Sequence, residues 1–275
     1  MVQDKFSATW VSHTSIADFL ACPRSYYLRH LFRNPKTGHK IQLISPSLAL
    51  GQVVHRVVES LSLLPTTKRF NTPIMQKFEK TWIMVKGKKG GFINSDQENR
   101  YKERGRVMIS RIVKNPGPLK NLAVKIKMDL PYFWLSDADN IILCGKIDWL
   151  EYLPKEDGVH IIDFKTGKGK ENQDSLQLPI YHLLVHHCQS RLVHKASYWY
   201  LEHSDTPVEK PLPKLEQARE KILKIAKQIK LARLLRRFNC PQGGCRACLP
   251  YEAILRDEAE YVGVNGFGQD LFSIL

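Results

Sequence analysis

Apolar residues recur every three or four positions through most of the first 118 residues, which predicts a run of helices there. Residues 12–32 read as two short helices broken at Pro23, with Ser12 or Thr14 as the first cap. Ser45–Leu64 reads as one helix that ends before Pro65, and its His55 and Glu59, four apart, share a face. Residues 72–92 read as a helix that dissolves into the glycine–lysine loop Lys86–Gly91. Residues 96–117 read as another, closed by Asn115-Pro116-Gly117.

The pattern then changes. Stretches 122–135, 140–153 and 159–165 are rich in β-branched and aromatic residues and read as three strands. A helix over 175–189, a strand over 195–202 and a long helix over 214–238 follow. On the long helix Leu215, Ala218, Ile222, Ile225, Ile229 and Ala232 form one stripe, and Lys221, Lys224, Lys227, Lys230, Arg236 and Arg237 occupy the other faces. From Asn239 onward the chain reads as a cysteine-bearing loop, one short helix and an irregular tail. The order of elements predicts a mixed α/β core with helical additions at both ends, and no internal repeat is visible.

Two of the apolar strands carry acids. Asp148 follows Gly-Lys-Ile, Asp163 follows His-Ile-Ile, and Lys165 stands two positions later. A hairpin folded about the turn Pro154–Gly158 places Asp148 opposite Asp163 or an immediate neighbour. Alternation puts Asp163 and Lys165 on one face, about 7 Å apart along the strand. Two carboxylates so close repel and take up a proton unless a cation separates them. Mg²⁺ or Mn²⁺ suits such oxygen donors. A bare Asp-x-Lys is common, and for it two acids exposed at a strand end and salt-bridged to Lys146 or Lys165 are the better account; the full constellation of motifs shifts the balance.

Composition narrows the partners. Lys and Arg total 42 against 27 acids among 275 residues, a formal net charge of +15 that favours a polyanion. With 43% hydrophobic residues the chain can bury a proper core. No run of about 18 apolar residues exists to span a bilayer. The opening MVQDKFSATWVSH lacks the apolar core of a signal peptide. A cytoplasmic or nucleoid location and no membrane partner are therefore expected. The densest basic segments are the long helix and the loop 86–91. Most of these charges read as solvated, and a few read as lining a groove for nucleic acid. Tyr26, Tyr27, Tyr198 and Trp199 could stack on bases, but such residues more often fill a core.

Six cysteines in that setting read as thiols or metal ligands rather than disulfides. Cys240, Cys245 and Cys248 form a C-x4-C-x2-C run, a spacing that suits zinc or an iron–sulfur cluster. Both usually take four ligands, and Cys22, 218 residues before Cys240, is the candidate fourth. Cys144 and Cys188 lie among apolar residues and read as buried thiols.

Five segments, in this order, resemble the PD-(D/E)XK nucleases of the RecB type, a group that includes nuclease domains of recombination helicase–nucleases and the CRISPR adaptation nuclease. They are SIADFLACPRSYYLRHL, GQVVHRVVE, GKIDWL, IIDFKTGK and QLPIY. The resemblance implies a restriction-endonuclease-like α/β core, with a mixed four-stranded sheet flanked by helices. It implies metal-dependent phosphodiester hydrolysis, with Mg²⁺ or Mn²⁺ held by His55, Asp148, Asp163 and the carbonyl of Phe164. Lys165 would orient water or stabilise the phosphate, and Gln177 and Tyr181 would face it. Glu59 would support the metal ligands or be a plain surface acid. The resemblance also implies a 4Fe–4S cluster on Cys22, Cys240, Cys245 and Cys248, with zinc the second choice. The spacing departs from the family's, whose last cysteine commonly follows the Cys-x-x-Cys; here that place is LPYEAIL and Cys240 lies upstream.

One nuclease domain over 1–275 is expected. Its parts are a helical part at 1–118 with Cys22 and His55, a catalytic sheet core at 119–212, and a basic helix with the cysteine clasp at 213–275. The expected role is a DNA exonuclease or a trimmer of single strands or flaps in repair, recombination or foreign-DNA processing. DNA that is single-stranded or has free ends is the expected partner. No Gly-x-x-x-x-Gly-Lys-Ser/Thr motif occurs, so a helicase would be a separate partner. The alternatives are a CRISPR adaptation nuclease working with adaptation proteins, or a non-catalytic DNA-binding subunit of a helicase–nuclease. A metabolic hydrolase would leave the basic charge unexplained.

Overall fold

In the computed structural model, which describes residues 4–274, ten strands and eight α-helices are formed. The strands are β1 (Thr9–Val11), β2 (Lys40–Leu43), β3 (Tyr132–Ser136), β4 (Ile141–Cys144), β5 (Trp149–Leu153), β6 (Gly158–Lys165), β7 (Val193–Tyr200), β8 (Val208–Lys210), β9 (Glu260–Val264) and β10 (Gln269–Ser273). The helices are α1 (His13–Ala21), α2 (Pro23–Tyr26), α3 (Pro46–Ser60), α4 (Ile74–Trp82), α5 (Ser95–Lys114), α6 (Gln177–Cys188), α7 (Leu215–Leu235) and α8 (Leu249–Leu255).

The central sheet has the order β5-β6-β7-β8, with β6 and β7 parallel and the outer pairs antiparallel. This is the mixed four-stranded sheet of a restriction-endonuclease-like α/β fold. Strand alternation divides its side chains between two cores. Val159 and Ile161 of β6 join Leu150, Ala196, Tyr198 and Tyr200 against α6 and α7. Ile162 and Phe164 join Trp149 and Trp199 against α3, α4 and α5. Asp163 and Lys165 have the parity of the first set, so β6 presents them on the α6 side.

Local chemistry fixes the helices. Ser12 and Ser15 form a reciprocal capping box at α1. Ser45 caps α3 by accepting from the Leu48 amide, with Pro46 in the first turn. Asn94 caps α5, which has Asp96 and Glu98 in its first turn and Arg111 and Lys114 in its last. On α3, Leu50, Val53, Val54, Val57 and Val58 are buried. Each contributes about 1.5–3 kcal/mol of burial, and His55 is left at the edge of that face.

α5 runs close to α4 and α3 at Gly105. A Cβ there would meet the Phe78 ring at 2.5 Å and Leu50 at 3.1 Å. Gly105→Ala is therefore expected to destabilise by about 1–3 kcal/mol through overpacking, despite a gain in helix propensity of about 1 kcal/mol. A denaturant midpoint at or above wild type would count against this packing.

Three stretches differ from the sequence pattern. Residues 122–135, read as one strand, pair only through an Ala123–Glu151 bridge before β3 begins at Tyr132. Residues 140–153, also read as one strand, break at Gly145–Asp148. β4 then joins β1 and β3 in a second sheet, while β5 enters the central one. The stretch read as an irregular tail instead forms β9 and β10, and β10 pairs in parallel with β2 from the supposedly all-helical N-terminal part. Leu28, Ile41, Tyr251, Ile254 and Phe272 form a small core beneath this third sheet. No helix among the described residues is long and apolar enough to cross a membrane.

Candidate active site and cysteine centre

The β5–β6 register pairs Leu153 with Gly158 and Trp149 with Ile162. One step further stand Asp148 and Asp163, level with each other at the open end of the hairpin. Asp148 Oδ2 accepts a hydrogen bond from the Phe164 amide at 2.9 Å. His55 of α3 arrives from the other layer, its Nδ1 3.3 Å from the same oxygen and 3.8 Å from Glu59 Oε1. The Phe164 ring packs between the edge of His55 and Trp199.

Asp163 is held from α6. Gln177 donates to Asp163 Oδ1 at 2.6 Å and to the Tyr181 hydroxyl at 3.1 Å. Lys165 donates to the other end of the Gln177 amide. Its Nζ lies 2.9 Å from Asp163 Oδ2 and 3.1 Å from Glu171, above the Tyr198 ring. The two acids, the lysine, His55, Gln177 and Tyr181 are thus brought together. Gln177 and Tyr181 are buried. They reach Asp163 and Lys165 rather than a solvent-facing position.

The electrostatics set the two acids apart. Burial, and then the neighbouring charge of Asp148, push Asp163 up to about 7, with Lys165 opposing. Burial also pushes Asp148 upward, but the hydrogen bond and charge of His55 prevail and leave it below its ordinary value. Burial draws His55 down, yet hydrogen bonds to Asp148 and Glu59 carry it to about 10. An imidazolium here stands where a cation is wanted.

The donor set fits a divalent cation. His55, Glu59 and Asp148 each offer a ligand atom, all within 4.8 Å of one another. Asp163 Oδ2 is buried and lies 2.9 Å from the Lys165 ammonium, its other oxygen held by Gln177. Carboxylate oxygens with one imidazole suit Mg²⁺ or Mn²⁺. Glu59, weighed in the sequence as either support or surface acid, belongs to this group. Glu171 escaped the sequence because it sits in a polar loop with no periodicity.

The four cysteines also converge. Cys22, Cys240, Cys245 and Cys248 bring their sulfurs within 4.8 Å of one another. Gly243 (φ +67°) and Gly244 (φ +157°) turn the chain between Cys240 and Cys245. The amides of Cys248 and Ala247 lower the Cys245 thiol to about 7. Arg24 and Glu252 pair across the same junction. Cys144 is buried as expected, whereas Cys188 is only half-buried, its thiol on the Tyr132 carbonyl. Tyr26, Tyr198 and Trp199 are core residues, and Tyr27 stacks on Phe238.

A mixed sheet with two aspartates and a lysine converging at one end is the arrangement of a phosphodiester-cleaving nuclease fold. Residues 10–254 match the family model of the PD-(D/E)XK nuclease superfamily, and the chain belongs to that superfamily. It is similar to a subunit of the ATP-dependent helicase/deoxyribonuclease of Clostridium tetani (strain Massachusetts / E88), 28% identical over 181 residues, a match covering 58% of this chain. The match takes in 15% of the relative's length.

Proposed function

We propose that this chain is a divalent-metal-dependent deoxyribonuclease, an exonuclease or a trimmer of single strands or flaps, acting in repair, recombination or foreign-DNA processing. The observation that carries the reading is the convergence of Asp148, Asp163 and Lys165 on one face, with the buried Asp163 Oδ2 2.9 Å from Lys165 Nζ and with His55, Glu59 and Asp148 clustered beside them. His55, Glu59, Asp148 and Asp163 would hold Mg²⁺ or Mn²⁺. When bound, the cation supplies Lewis-acid polarisation of a phosphoryl oxygen and a lowered pKa for water. Lys165 keeps a positive charge beside Asp163, where negative charge grows on the phosphate. Gln177 is a positioning residue that fixes Asp163, Lys165 and Tyr181 relative to one another. The name of the clostridial relative supports DNA as substrate and a separate helicase as partner.

The cysteine centre is structural in this reading. Zinc–thiolate bonds of about 2.3 Å place the sulfurs of a tetrahedron about 3.8 Å apart, and Cys245 and Cys248 are 3.7 Å apart. That pair, with all four sulfurs within 4.8 Å of one another, supports a single tetrahedral ion; the resemblance implies a four-iron cluster on the same four thiolates.

End-labelled single-stranded and duplex DNA incubated with the purified protein tests the activity. Cleavage is expected with Mg²⁺ or Mn²⁺ and none in EDTA. Cleavage that persists in EDTA would overturn the mechanism.

A further inference from the structure

Beside His55, Glu59 and Asp148 opens a cleft of about 720 Å³. Arg56, Lys125 and Lys146 line it with their charges exposed; Asp129 and Glu59 stand among them, Glu59 paired with Lys146. Phe267, at the tip of the β9–β10 hairpin, also lines it and is 89% exposed.

An exposed phenyl ring on a fraying loop would mean little, but this loop is built. The Asn265 side chain accepts from the amides of Phe267 (2.9 Å) and Gln269 (3.1 Å). It donates to Gln42 (2.9 Å) and to the Gln269 side chain (2.8 Å). Gly268 closes the turn at φ +69°, its amide on the Asn265 carbonyl. β10 then pairs with β2, and β2 leads within two residues to Ser45, the cap of the helix that carries His55. The backbone of Phe267 is thereby held at a fixed offset from the acid cluster, so only the ring's own rotamers remain to be ordered on binding.

We propose that Phe267 is a stacking post for a base of single-stranded DNA led along this cleft toward Asp148 and His55. The proposal rests on the nuclease reading for the identity of the polymer. The ring face supplies sequence-tolerant stacking while the lysines and arginine track the phosphates. In a duplex the base faces are already stacked on one another, so the post favours single strands over duplex.

The test is binding of labelled oligo(dT) and of a labelled blunt duplex, measured by fluorescence anisotropy in EDTA so that no strand is cut. Phe267→Ala is expected to weaken oligo(dT) binding about tenfold or more and to leave duplex affinity unchanged. Phe267→Trp is expected to keep oligo(dT) affinity, with its added emission quenched on binding. Equal oligo(dT) affinity for wild type and Phe267→Ala, or an equal loss on both probes, overturns the stacking post. If wild type cuts DNA while Phe267→Ala binds oligo(dT) normally, only the post fails. If wild type neither cuts nor binds DNA, the nuclease reading fails with it.

Discussion

Asp163→Ala is expected to reduce strand cleavage to background while DNA binding survives or tightens. Asp163 is 2% exposed, pairs with Lys165 at 2.9 Å, and is pushed by burial and by Asp148 toward about 7. With Asp163 gone Lys165 keeps Glu171 at 3.1 Å and the Gln177 amide, so no buried charge is left unpaired and the sheet should stay folded. Divalent-metal affinity should fall, because a charged donor is lost. Removing a negative charge near the phosphates should help binding rather than harm it. Lys165→Ala should spare metal binding yet slow cleavage by roughly 10²–10³-fold, as loss of one electrostatic stabiliser does. Cleavage of a labelled strand, metal titration and a binding assay separate these effects. An Asp163→Ala protein as fast as wild type would sink the mechanism.

Cys22→Ala is expected to release the metal of the cysteine centre and to lower stability by about 5 kcal/mol, the chain-entropy estimate for a cross-link closing a loop of this length. Cys22 is buried between α1 and α2, and its three partners lie in the loop that leads into α8. Wild type should return one ion per chain by elemental analysis and be colourless if that ion is zinc; four irons and a brown solution would instead restore the cluster. Cys144→Ala is the control, since Cys144 lies outside the four. It should leave metal content unchanged. Unchanged metal in Cys22→Ala would remove Cys22 from the set.

The chemistry is more legible in the sequence than the sheets are. Asp163 and Lys165 share a face because strands alternate, and Asp148 meets Asp163 because a tight turn fixes the register. Periodicity also marks the buried stripe of α7, where Ala218, Ile222, Ile225 and Ile229 are all buried. Pairing at long range cannot be read this way. β2 and β10 are short and half polar, and what makes them strands is each other, across more than 200 residues. The break at Gly145–Asp148 is hidden because both halves are apolar, though they serve different sheets. Phe267 lies in what reads as an irregular tail, since exposure and proximity to a cleft have no local signature.

The β2–β10 pairing also sets a timetable. β2 is made long before β10, an interval of roughly 11–45 s at about 5–20 residues per second. Until then β2 lacks its parallel neighbour, while the helix that presents His55 to Asp148 can already pack on α4, α5 and the central sheet. Every residue of the candidate site is thus made before the third sheet can close, and Phe267 reaches the cleft only when β10 docks.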